Sequence, residues 1–195
     1  MDNQATTHTY TDEELIVRSR TDNVVFGILI ERYESKLNRY IRRITNVTDE
    51  DRQDILQNVF LKVYTNLNAF DESLSFNSWI YRITRNEVID WSRRSQHQRD
   101  RGYIDTDDTL FDQIESYEHF LKDLELQENK HVLLKGLNAL KPISREVLML
   151  QYFEEKSYQE MSDILKKPVP TISTLLRRAK QELKSWYSNN QHNHD

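Results

Sequence analysis

Between Val24 and Arg101 the apolar residues return every three or four positions, and that period dictates helices rather than strands. Phe26, Leu29, Ile30, Tyr33, Leu37, Tyr40, Ile41 and Ile44 make one such face. A second helix starts near Thr48 or Asp49, with Ile55, Leu56, Val59, Phe60, Val63, Tyr64 and Leu67 as its buried side. AFDESLS, residues 69–75, is a short polar break, and a third helix then carries Phe76, Trp79, Ile80 and Ile83 toward the core. Glycine scarcity reinforces the reading. Only three glycines occur in 195 residues, which leaves little material for tight hairpins or phosphate-cradling loops. The expected fold class is all-α: two small helical domains joined by an acidic linker, the second containing a helix-turn-helix.

The boundaries follow from composition. Residues 1–20 are a polar lead-in, with Thr11 and Glu14 spaced as a capping box for a short helix. Residues 21–101 form the first helical domain. SQHQRDRGYIDTDDT reads as loop, and residues 102–130 as an acidic linker that is partly helical after Phe111. From Ile104 to Lys130 nine acids face only Lys122 and Lys130. Residues 131–187 reverse the sign, with ten Lys and Arg against six Asp and Glu, so the formal net charge of −5 hides a strong asymmetry between segments. Residues 188–195 read as a disordered tail.

Several classes of chemistry are absent. There is no cysteine, hence no disulfide framework or thiolate metal site, which is compatible with a reducing cytoplasm. No apolar run is long enough to cross a bilayer, and the polar, acidic MDNQATTHTYTDEE is not a signal peptide. A cytoplasmic location without membrane insertion is expected. The histidines at 8, 97, 119, 131, 192 and 194 lack the spaced partners of a metal site. Neither a P-loop, a G-x-S-x-G elbow nor an EF-hand pattern occurs. No cofactor, metal or catalytic residue is expected.

The most specific local signal is KKPVPTISTLLRRAK, residues 166–180, which carries five cations and no acid. Upstream, Ser157 and Glu160 form a capping box, and Tyr158, Met161, Ile164 and Leu165 an apolar stripe. Pro168 disfavours helical geometry in the residue before it, so this helix should stop at Lys167. Pro170 suits the first turn of a new helix, where its missing N–H is not needed. One helix therefore ends and another begins within a few residues, which is helix-turn-helix spacing. On the second helix Ile172, Leu175, Leu176, Ala179 and Leu183 fall on one side. Thr171, Ser173, Thr174, Arg177, Arg178, Gln181 and Lys184 are left for solvent. Hydroxyls in the first turn and arginines one turn on suit a recognition helix, whose first turns reach base edges while cations hold phosphates.

KSYQEMSDILKKPVPTISTLLRRAKQEL resembles the region-four domain of bacterial extracytoplasmic-function (ECF) sigma factors. RQDILQNVFLKVYTNLNAF and SFNSWIYRITRNEVIDWSRR resemble their region-two domain. The likeness covers about residues 20–101 and 131–187. It implies a protein that joins core RNA polymerase, reads the promoter −35 element as duplex and captures the −10 element as a non-template single strand. Asp54, Gln57, Asn58 and Lys62 share one helix face by their spacing, and the resemblance makes that face the polymerase-binding surface. Asp54, Gln57 and Phe60 match the family motif, Phe60 as a core residue. For the −10 strand the candidates are Arg82, Arg85, Asn86, Ile89 and Arg93 on the third helix, where cations track phosphates and an amide reads a base edge. The family's specificity loop, which holds a flipped base, aligns with FDESLSF, so Phe70, Asp71, Glu72, Ser73 and Ser75 are candidate lining residues. Tyr81 is a candidate contact and Trp79 an expected core residue.

The sequence departs from the family pattern at three places. Pro170 stands where Gly is common, and Ser173 and Leu175 stand where cations are common. Fewer phosphate contacts imply a weak or unusual −35 preference, or help from another recruiting protein. An anti-sigma factor is the other partner the family implies. Two alternative readings remain: a stand-alone helix-turn-helix regulator that ignores polymerase, and an inactive homologue that titrates a partner.

Overall fold

The computed structural model describes residues 10–45, 47–71, 74–95, 114–124, 126 and 130–190. Among these residues every regular element is helical. None of the helices is long and apolar enough to cross a membrane. The chain divides into two compact units, residues 1–41 with 47–100, and residues 42–46 with 101–195.

In the first unit α1 (Asp12–Ser19) opens on a complete capping box: Thr11 Oγ1 accepts from the Glu14 amide at 3.2 Å, and the Thr11 amide donates to Glu14 at 2.8 Å. Two orphan donors are thereby satisfied at a short helix's start. Leu15 and Ile16 carry α1 into the core, and Asp12 binds Arg32 at 2.5 Å and the Tyr33 hydroxyl. Burial and that bond to a carboxylate push the Tyr33 phenol far above its ordinary pKa, so it stays a neutral donor. On α2 (Asn23–Ile44) Phe26, Leu29, Tyr33, Leu37, Tyr40 and Ile41 are buried as the period predicts, whereas Ile30 and Ile44 are half-buried. Thr48 caps α3 (Asp49–Thr65), whose Ile55, Leu56, Val59 and Val63 face inward. A single 3-10 turn, Leu67–Ala69, leads to α4 (Phe76–Ser95).

In the second unit α5 (Ile114–Leu124), α6 (Lys130–Ala139), α7 (Pro142–Tyr152) and α8 (Tyr158–Leu165) precede the long α9 (Val169–Asn190). Helices α6, α7 and α8 all pack on α9, while α5 lies against α7. Val132, Leu133, Leu137, Val147, Leu148, Met161, Ile164, Ile172, Leu176, Ala179 and Leu183 form the core. Residues 188–190, expected in a disordered tail, are instead the last turn of α9, where Asn190 Nδ2 donates to the Trp186 carbonyl at 2.8 Å. Ser95, expected to open a loop over residues 95–109, is instead the last residue of α4; the rest of that loop and residues 191–195 lie outside the described residues.

Gly136 sets the approach of α6 to α9. A Cβ there would stand 2.7 Å from Trp186 Cε3 and 2.9 Å from Leu183 Cδ1. Alanine would favour the helix by about 1 kcal/mol, but overpacking against a rigid indole costs about 1–3 kcal/mol. Gly136→Ala is expected to lower the urea midpoint, and Gly136→Val to lower it further. A midpoint equal to wild type would mean that Trp186 swings aside freely.

Candidate nucleic-acid and partner interfaces

The junction between α8 and α9 is built without glycine. Ser157 and Glu160 form the reciprocal cap at the start of α8, with Glu160 N–H donating to Ser157 Oγ at 3.2 Å. The helix ends at Leu165 rather than Lys167, because Lys166 turns into the left-handed region at φ 52°. That turn lets the amides of Lys166 and Lys167 both reach the Ser162 carbonyl, the second at 3.2 Å. Ser162 Oγ closes the loop by donating to the Lys167 carbonyl at 2.7 Å. The Pro168 carbonyl then accepts from the amides of Thr171 at 2.8 Å and Ile172 at 3.1 Å, so it starts α9, with Pro170 inside the first turn. Lysine thus fills the position that glycine fills most cheaply.

Burial fixes the phase of α9. Ile172, Leu176, Ala179, Leu183 and Tyr187 point inward, and Thr171, Ser173, Arg177, Arg178 and Gln181 are exposed. Leu175, expected among the buried residues, is half-buried. Thr174 is also half-buried, and its hydroxyl donates to the Pro170 carbonyl at 2.9 Å. Beside this face, Lys180 reaches Asp123 of α5 at 2.7 Å, and the Tyr152 hydroxyl binds the same carboxylate oxygen. The bonds from Lys180 and Tyr152 hold the Asp123 carboxyl below its ordinary pKa. Burial, then the bond to Asp123, push the Tyr152 phenol up to about 12. Phe120 of α5 is fully buried against the rings of Tyr152 and Phe153, at 4.9 and 5.6 Å.

In the first unit the face expected on α3 divides between two grooves. Asp54 and Gln57 are exposed and line one with Ile30, Glu34, Gln53 and Phe60. Phe60 is half-buried at its wall rather than in the core. Asn58 and Lys62 line the other, with Glu87, Asp90, Arg93 and Arg94 of α4. Lys62 therefore does not join Asp54 and Gln57. Its ammonium binds Glu87, a carboxylate only 3% exposed, which also takes Arg94 at 2.9 Å. Sequence reasoning missed Glu87 and Arg94; their seven-residue separation was visible, but Glu87 stood out only once the helix phase was known. Tyr64, expected inside, is exposed, and its hydroxyl donates to Asn23 at 3.0 Å.

The phase of α4 also corrects one candidate. Tyr81 is 1% exposed, its ring 5.0 Å from that of Tyr40, so it is a core residue and no nucleic-acid contact. The inward face runs through Phe76, Ile80, Tyr81, Thr84 and Val88, which leaves Trp79 and Ile83 half-buried at its edge. Asn86 and Arg93 are exposed and Arg82, Arg85 and Ile89 half-buried on the opposite side, as the spacing predicts. Of the loop candidates, Phe70 is buried, its ring 5.0 Å from Trp79 and 5.9 Å from Phe76, so it backs the loop rather than lining it. Asp71 and Ser75 are exposed, and Ser75 Oγ accepts from the Ser78 amide at the start of α4. Glu72 and Ser73 lie outside the described residues.

The family model for Sigma-70 region 2 matches residues 29–98, and that for Sigma-70 region 4 matches residues 130–183. The chain is 30% identical over 158 residues to the RNA polymerase sigma factor YlaC of Bacillus subtilis (strain 168), covering 78% of this chain and 85% of that protein. It is 27% identical over 184 residues to the ECF RNA polymerase sigma factor SigW of the same organism, covering 88% and 96%. Among solved structures, CnrH in complex with the cytosolic domain of CnrY shares the fold with a TM-score of 0.66 at 21% identity, over 92% of this chain and 98% of that one. The sigma factor RpoE of Bartonella quintana, solved with the anti-sigma factor NepR, gives a TM-score of 0.61 at 17% identity, over 84% and 96%.

The left-handed Lys166 carries a cost of about 1–2 kcal/mol relative to glycine. Lys166→Gly is expected to raise the melting temperature by several degrees, at about 4–8 °C per kcal/mol for a domain of this size. An unchanged or lower melting temperature would show that the Lys166 side chain makes a compensating contact.

Proposed function

The chain belongs to the RNA polymerase sigma factors, in the ECF group, and from that membership we propose that it binds core RNA polymerase and directs it to promoters. Such a protein acts where the polymerase is, in the cytoplasm. It is no enzyme: polymerisation belongs to the core, and the sigma subunit supplies recognition and strand capture. The observation that carries the reading is the pairing, in one chain, of a region-two unit with a region-four unit whose α8–α9 junction forms a helix-turn-helix.

Within this reading α9 takes the −35 duplex. Thr171, Ser173, Thr174, Arg177, Arg178 and Gln181 stand on its outward side, in the order a major-groove helix uses. The −10 strand runs along Arg82, Arg85, Asn86 and Arg93 of α4, with Asp71 and Ser75 at the loop that receives a flipped base. Core polymerase takes the groove of Asp54 and Gln57, with the half-buried Phe60 as its apolar wall. Without a cation at 173 or 175, the −35 preference is weak or unusual, or a recruiting partner compensates. RpoE was solved with an anti-sigma factor, and a protein of that kind is the regulator proposed for this chain. A stand-alone regulator would leave the Asp54 and Gln57 groove without a purpose.

Run-off transcription with purified core polymerase on a pool of promoter fragments tests the proposal. New discrete start sites should appear only when the protein is added. Asp54→Ala with Gln57→Ala should weaken core binding at least tenfold, about 1.4 kcal/mol, and abolish the transcripts, while duplex binding by α9 persists. Transcripts that survive the double substitution would remove this groove from the polymerase interface. Duplex binding with no core binding by the wild type would favour the stand-alone regulator.

A further inference from the structure

Ser173, Arg177, Lys180 and Lys184 stand at four- and three-residue steps along α9, so they form one ridge at the border of its outward face. Three of the four are cations, and Lys180 sits in the middle. It is also the one that α5 engages: its ammonium is 2.7 Å from Asp123 and 5.3 Å from the centre of the Tyr152 ring. Asp123 is not a chance neighbour. The same carboxylate takes the Tyr152 hydroxyl, and Phe120, Leu121 and Leu124 bury the rest of the helix turn around it. A segment read from sequence as a linker therefore ends in a seated helix whose acid neutralises a cation of the DNA-facing helix.

We propose that Lys180 is a phosphate-contacting residue of α9 and that Asp123 holds it in reserve, so that release of the α5 carboxylate strengthens duplex binding. The proposal rests on the reading of α9 as the helix that faces duplex DNA. With Asp123 in place, Lys180 has its counter-charge and releases no counterion on binding. With Asp123 withdrawn, the ridge presents one more cation to the backbone. A phosphate contact changes the dependence of log K on log salt by about −0.9. It is therefore a gain of roughly three- to fourfold in affinity at 50 mM relative to 200 mM salt. The effect is independent of base sequence, since a backbone contact carries none.

The test is fluorescence anisotropy of a labelled non-specific duplex with the full-length chain, from 50 to 200 mM salt. Asp123→Asn should steepen the salt slope by about one phosphate and tighten binding at 50 mM. Lys180→Gln alone leaves the Asp123 carboxylate unpaired beside the duplex and should weaken binding, whereas the double variant, which loses one charge of each sign, should return to wild type. The proposal is overturned if Asp123→Asn matches wild type, or if the double variant keeps the gain. It is also overturned if the double variant has a flatter slope than wild type, which would show Lys180 already on a phosphate. That last arm stands even where Asp123→Asn alone is too unstable to assay. Absence of duplex binding in every variant at 50 mM overturns it as well. Core-polymerase binding, measured separately, keeps the two readings apart: a chain that fails to bind core yet shows the salt shift loses the proposed sigma activity and keeps the reserve cation.

Discussion

Burial of one edge of a helix decides what its other edge can do, and both units depend on that constraint. Ile172, Leu176, Ala179, Leu183 and Tyr187 lock the rotation of α9, because turning it by one residue would move them all toward water. Each buried aliphatic side chain is worth about 1.5–3 kcal/mol, far more than any single polar contact on the outer face. Thr171, Arg178 and Gln181 are presented by default: among the described residues no hydrogen bond or ion pair holds their side chains. In α4 the same logic runs through Ile80, Tyr81, Thr84 and Val88, and it delivers Asn86 and Arg93 to the surface.

Charge is organised on a finer scale than the segments suggest. Residues 131–187 are basic by count, yet their cations are not equivalent: Lys180 is matched by Asp123, whereas Arg177 and Arg178 make no ion pair among the described residues. In the first unit Glu87 gathers Lys62 and Arg94 from two helices. A buried carboxylate needs such company, since an unpaired one would be strongly disfavoured. Pairings of this kind subtract cations from the set available to a polyanion, so the exposed count is a better guide to phosphate contacts than the sequence count.

The helical class, both capping boxes and the two-proline junction were legible in the sequence because each rests on interactions within four residues. The outward side of α9 was legible for the same reason, Leu175 apart, since its apolar stripe is long and regular. What failed were positions where phase had to be known to within one residue. Tyr81 reads as amphipathic and belongs to the core, because Tyr40 offers its ring a partner that no local pattern announces. Lys62 shares a helical face with Asp54 on paper, but a buried acid on another helix draws it away. The end of α8 fell two residues early because Lys166 accepts a backbone conformation that lysine seldom adopts.

Thr174 illustrates how a backbone bond edits the vocabulary of a side chain. Its hydroxyl hydrogen is committed to the Pro170 carbonyl, so toward any ligand it has lone pairs alone. In the major groove hydrogen-bond donors occur only as the amino groups of adenine and cytosine. Were α9 to enter a major groove as proposed, a threonine held in this way would favour those two bases, since guanine offers only acceptors there.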